Sequence, residues 1–164
     1  KTMKNKRIRI ELKPLLLAVL SGIGAAMTIG LLAISDSLSS DVIMLMAPFG
    51  ASVVIVFGLP ASPLAQPKNV IMGHMLTAFI GVLFVEYVGV TSLSLAIATG
   101  LGVTTMLVTK TTHPPAGANP ILIMLAGQTW TFLYSPVLFG AVAIVLMGKL
   151  FNKAYAQAQR MELD

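Results

Sequence analysis

Two five-residue stretches decide how this chain is read: Pro48-Phe49-Gly50-Ala51-Ser52 and Pro115-Ala116-Gly117-Ala118-Asn119. Both follow P-x-G-A-[S/N], and they lie 67 positions apart (48 to 115). At the same offset, Asn69-Val70-Ile71-Met72-Gly73 falls over Pro136-Val137-Leu138-Phe139-Gly140. A shared offset points to an internal duplication, with repeats over about residues 14–83 and 84–151.

Composition says where such a duplication sits. Charged residues make up 10% of the 164, against about 25% in a soluble domain. Between residues 14 and 148 the charges are Asp36, Asp41, Lys68, Glu86 and Lys110. This excludes an ordinary soluble domain, a disordered chain and a nucleic-acid partner. The absence of Cys excludes disulfides and thiolate chemistry. Six of the eleven Lys and Arg lie in the first thirteen residues, and three follow residue 148. Residues 1–13 read as a basic cytoplasmic tail, not a signal peptide, and residues 152–164 as a second cytoplasmic tail.

A spanning helix needs about 20 mostly apolar residues. Residues 14–34, 69–90, 91–109 and 136–151 supply such stretches, with loops expected at 35–41 and 127–135. Residues 42–59 are apolar but hold Pro48 and Gly50, and 116–126 are too short to span alone. Each half is then helix, broken segment, helix. If the broken segments cross, both tails, Lys68 and Lys110 are all cytoplasmic, and the outer connections hold no Lys or Arg. If they are re-entrant, giving four full spans, Lys68 and Lys110 fall outside, and the charge bias favours crossing. The fold class is therefore all-α: a polytopic membrane protein of about six segments in two inverted three-segment repeats. The helices are expected to break at 48–52 and 115–119. The repeat offset also suggests that part of 102–114 is extended backbone rather than helix.

These motifs resemble a known family. Thr112-His113-Pro114-Pro115-Ala116-Gly117-Ala118-Asn119-Pro120 is similar to the signature of the HPP family of integral membrane proteins. Ala47-Pro48-Phe49-Gly50-Ala51-Ser52, then 62–70 and His74, resembles its other block. The resemblance implies a single HPP-type transmembrane domain over residues 14–151, and an activity, in some members, of nitrite transport.

The residues make an anion path plausible on separate grounds. A helix that begins inside the membrane leaves N–H groups unpaired at a partly positive end. Pro48, Pro114 and Pro115 waste no donor there. Gly50 and Gly117 admit close approach, and Ser52 and Asn119 add neutral polar groups across the repeat axis. Lys110 concentrates anions at the mouth. Protonation of His113 is expected to tighten anion binding as pH falls. The candidate pathway residues are Pro48, Phe49, Gly50, Ala51, Ser52, His74, Lys110, Thr112, His113, Pro114, Pro115, Gly117 and Asn119. The competing reading makes the prolines and glycines devices for tight helix crossing. Lys68 and Glu86 read as interfacial residues, Asp36 and Asp41 as loop charges or helix caps, and Trp130 and Tyr134 as an aromatic belt.

Two His residues 39 apart with no neighbouring carboxylate give no metal-ligand spacing, and no nucleotide motif occurs. No cofactor and no enzymatic activity are expected. The expected function is passage of a small inorganic anion, nitrite by resemblance, between the two motifs. The alternatives are a membrane-embedded enzyme using His113 and Lys110, or a structural membrane subunit. The expected partners are the anion, the lipid bilayer and further copies of the chain. Gly22-x-Gly24 and Gly100-x-Gly102 serve as lipid-facing contact stripes between copies. The expected location is a bacterial inner membrane, with both termini cytoplasmic.

Overall fold

The computed structural model describes residues 12–38 and 44–161, and every regular element among them is helical. Most of the predicted tail at 1–13, and residues 162–164 of the other, lie outside the described residues. The order is α1 (Leu12–Leu38), α2 (Ala47–Gly58), α3 (Pro67–Tyr87), α4 (Ser92–Val108), α5 (Asn119–Ala126) and α6 (Phe139–Met161). A 3₁₀ turn, Pro114–Ala118, leads into α5, and a π turn, Leu133–Leu138, leads into α6. Three stretches are long and apolar enough to cross a membrane: Leu15–Leu38, Pro67–Tyr87 and Leu133–Lys153. α2 and α4 are shorter apolar helices.

Several expected boundaries move. Residues 35–38, read as loop, form the last turn of α1. Asp36 there accepts hydrogen bonds from the Met44 and Leu45 N–H groups, so it steadies the approach to α2. The 48–52 motif does not interrupt a helix but starts one: Met46 is extended (φ −142°, ψ 151°) and Pro48 lies in the first turn of α2. The second motif likewise opens a helical arm, after His113 at φ −137°. α4 continues to Val108, against the shorter helix that the repeat offset suggested. Thr91 and Ser94 start it with a reciprocal capping box. Within 102–114, non-helical backbone is confined to the turn that follows, where Lys110 takes φ 55°, and to residues 111–113. Helix before α6 begins at Thr131, earlier than expected, with a kink at Ser135 ahead of Pro136.

α3 is the central helix. Its buried residues Val70, Gly73, His74, Thr77, Ala78, Gly81 and Val82 recur at three- and four-residue steps, giving one continuous packed stripe. α4, α5, α6, the 3₁₀ turn Pro114–Ala118, the π turn Leu133–Leu138 and a short turn at Pro63–Ala65 all meet it. The packing plan recurs between the halves. α1 packs on α2 as α4 packs on α5; α2 packs on α6 as α5 packs on α3; α1 packs on α6 as α4 packs on α3.

Lipid tails are as apolar as leucine, so close van der Waals packing carries much of helix association in a membrane. Glycines make that contact here. A Cβ at Gly73 would stand 2.9 Å from His113 Cβ, 3.0 Å from Thr111 O and 3.6 Å from Ala116 Cβ. One at Gly140 would stand 2.1 Å from the Phe49 ring and 2.7 Å from Met44 O. One at Gly81 would meet Ile123 at 3.1 Å, and one at Gly148 would meet Val56 at 2.3 Å. Gly24 and Gly102, expected to face lipid, are consumed inside the chain: Gly24 by Phe57 and Phe151, Gly102 by Thr77 and Pro120. Around this body, Leu15, Val19, Ile23, Met27 and Leu31 expose one side of α1 at four-residue spacing, as a lipid-facing surface requires.

Candidate functional site

The 3₁₀ turn packs on both α2 and α3, and this brings the two motifs and both histidines together. His74 lies seven residues into α3, about 10 Å along its axis. Ser52 lies one turn into α2, His113 caps the 3₁₀ turn, and Asn119 opens α5. All four have 0% exposure, so bulk water does not touch them in this conformation.

They form one hydrogen-bonded chain. Asn119 Nδ2 donates within 3.1 Å to His74 Nδ1, 3.0 Å to the His74 carbonyl and 3.1 Å to Thr77 Oγ1. Ser52 Oγ lies 2.8 Å from His74 Nε2 and 2.9 Å from His113 Nε2. His113 Nδ1 donates to the Leu64 carbonyl at 2.8 Å. The Phe49 ring meets His74 edge-on at 5.2 Å and seals the cluster on one side. Asn69 Nδ2 donates to the Thr112 carbonyl at 3.1 Å, which ties the start of α3 to the stretch before His113. Asn119 Oδ1 is buried without a hydrogen-bond partner.

The other sequence candidates divide. Pro48, Phe49 and Pro115 are buried beside the cluster. Thr112 is half-buried and acts through its carbonyl, while Lys110 is exposed. Gly50, Ala51 and Pro114 are exposed and Gly117 is half-buried; a Cβ at either glycine would meet nothing within 4 Å. A groove of about 690 Å³, lined by Ala47, Pro48, Ala51, Pro114, Pro115 and Ala118 among others, separates the motifs on the outer face. It is apolar and open to the surroundings. Trp130 is half-buried against Phe79, and Tyr134 is exposed.

Sequence reading missed Thr77 and Leu64. Thr77 shares a helical face with His74, at i+3, and that spacing was legible. Leu64 acts only through its carbonyl, which no side-chain pattern reveals. Among the described residues no three His, Asp or Glu side chains gather to hold a metal.

A lipid-exposed body of apolar helices around a sealed polar cluster defines a polytopic helical membrane protein. The sequence profile of the family described as "HPP, transmembrane region" matches residues 11–161, and the chain belongs to that family. Two transmembrane proteins of Dictyostelium discoideum are similar to it. One is 34% identical over 160 residues, covering 92% of this chain and 56% of the relative. The other is 32% identical over 153 residues, covering 88% and 49%. The chain thus spans about half the length of these curated relatives. No solved structure matches.

Proposed function

We propose that this protein passes a small inorganic monoanion, nitrite by family resemblance, along a path between its two P-x-G-A-[S/N] motifs. Membership of the HPP family is consistent with membrane transport. The observation that carries the reading is the convergence of both motif helix starts on one buried polar cluster, Ser52–His74–His113–Asn119. In this conformation the cluster closes the path, so passage requires Ser52 and Asn119 to part. A six-segment inverted repeat belongs to the same proposal, and the spacing of the glycine crossings supports it. Gly73 and Gly140, and Gly81 and Gly148, are 67 apart, and so are their partners Thr111 and Met44, Ala116 and Phe49, and Ile123 and Val56. Two crossings at one offset are what a duplicated unit leaves behind.

The proposed setting is a bacterial inner membrane with both termini cytoplasmic, and the proposed assembly is a homo-oligomer. The test is ion flux in proteoliposomes, comparing nitrite, nitrate, formate and chloride. Nitrite flux above that of protein-free liposomes is expected, and its absence sinks the reading. Orientation is checked by a Cys introduced at position 68. Labelling from the cytoplasmic side supports the six-segment arrangement, and labelling from the opposite side alone removes it.

A membrane-embedded enzyme is the second reading, because Ser52 Oγ hydrogen-bonds to the His113 ring as an activated hydroxyl does. The same oxygen is also bound by His74, and the cluster lies closed to substrate. A serine-directed acylating probe that labels Ser52 in membranes is the result that favours the enzyme.

A further inference from the structure

The ring centroids of His74 and His113 lie 5.0 Å apart, and one hydroxyl bridges them. Hydrogen-bond direction is set at both outer ends. An amide nitrogen only donates, so His74 Nδ1 accepts from Asn119 and the neutral ring carries its proton on Nε2. A carbonyl only accepts, so His113 carries its proton on Nδ1 and leaves Nε2 bare. The two rings are opposite tautomers. Ser52 Oγ accepts from His74 Nε2–H and donates its own proton to His113 Nε2.

We propose that this bridge binds one proton, taken up at His113 Nε2 as the Ser52 hydroxyl swings from His113 to the carbonyl oxygen of Pro48. The second acceptor is already in place, since Pro48 O lies 3.2 Å from Ser52 Oγ. After uptake, Oγ accepts an N–H from each ring and the O–H points to Pro48. One N–H bond forms, the proton comes from bulk water, and no heavy-atom bond changes. Each donor keeps an acceptor, which a buried site demands. A second proton is refused. At His74 Nδ1 it would face the Asn119 amide, donor against donor, and would set two cations about 5.0 Å apart.

Among the described residues, the elements packed around the bridge bring no rival charge to it. α2, α4 and residues 114–126 hold no titratable side chain, and neither do residues 59–66. On α3, Lys68 lies six residues before His74 and Glu86 twelve after it; both are exposed, as is Tyr87. Lys149 and Lys153 of α6, Lys110 and Tyr134 are exposed as well. The consequence for transport rests on the proposed function. A proton here places one positive charge beside both motifs, so anion and proton each raise the other's affinity. The anion then travels with a proton.

The test begins without any transported anion. Histidine ¹⁵N spectra of the protein in lipid nanodiscs should show His74 as the Nε2–H tautomer and His113 as the Nδ1–H tautomer at alkaline pH. On acidification His113 alone should become doubly protonated. The same tautomer in both rings, uptake first at His74, or no uptake between about pH 5 and pH 9 overturns the site. Ser52→Ala should abolish the uptake in that range, and Ser52→Thr should keep it; uptake that persists in Ser52→Ala overturns the bridge. A second arm follows nitrite and internal pH together in proteoliposomes. One proton per nitrite is expected, with apparent affinity changing up to about tenfold per pH unit. Nitrite flux without proton flux overturns the coupling and leaves the proposed function standing. The expected spectra with no nitrite flux sink the anion reading and support the proton site alone.

Discussion

The two halves use one backbone plan for opposite purposes. At Gly140 the neighbouring segment presents Phe49 of α2 and the carbonyl of Met44, which precedes that helix. At Gly73, 67 residues earlier, the neighbouring arm presents His113, Ala116 and the Thr111 carbonyl. Each crossing carries one backbone carbonyl, and at the first a phenyl ring fills the remaining space. The second leaves that volume to alanine and sets two imidazoles beside it. His74 itself stands opposite Ala141 in the repeat register, and His113 opposite Met46. The shared packing plan therefore supplies the frame, and residues that differ between the two halves form the polar cluster. Symmetry of packing does not require symmetry of function.

The comparison breaks most readily at Gly140. Gly140→Val should give the largest effect, because a Cβ falls 2.1 Å from a fully buried ring and 2.7 Å from backbone. Overpacking of this kind costs roughly 1–3 kcal/mol or more. Loss of the monodisperse peak in detergent is the expected readout, and wild-type thermal stability in this variant shows that the crossing is looser than described.

Gly73→Ala should be milder, about 1 kcal/mol, since its contacts begin at 2.9 Å. It displaces His113, so nitrite flux should fall further than stability does. Equal losses of both make this crossing a packing device like its counterpart.

Asn119→Ala removes the donor that fixes His74 and leaves the His74 and Thr77 acceptors short of it. Leaving a buried partner unsatisfied costs about 1–3 kcal/mol, part of it recovered because the orphaned Oδ1 goes as well. Flux should drop about tenfold while the protein still inserts. Normal flux moves the path away from the cluster.

The smallest effects belong to Gly50→Ala and Gly117→Ala. A Cβ at either position meets nothing within 4 Å, so stability should change by less than about 0.5 kcal/mol. Selective loss of flux in either variant then places the ion beside that backbone. No change in flux in either leaves both motif glycines outside the path.

Much of this protein was legible before any coordinates. Low charge and long apolar runs dictate helices in a membrane, because backbone polar groups in lipid must pair within their own segment. The offset of 67 follows from letters alone, and Gly73 and Gly140 were already aligned by it. Both histidines were already among the candidate pathway residues, His113 as an ionisable group at membrane depth. Helix ends were less legible. Asp36 extends α1 by binding backbone eight and nine residues away, and the kink at Ser135 lies inside helical backbone that begins before Pro136.

Only the tertiary structure decided which glycines carry the crossings. Gly50 and Gly117, prominent in the motifs, face open space, whereas Gly81 and Gly148 lie against side chains. A glycine's spacing does not say which neighbour arrives beside it. The structure also decided that Ser52, 61 residues from His113 and 22 from His74, hydrogen-bonds to both. Sequence determines local helices through short-range hydrogen bonds and apolar pattern. Which polar groups must satisfy one another is settled when helices distant along the chain pack and exclude water.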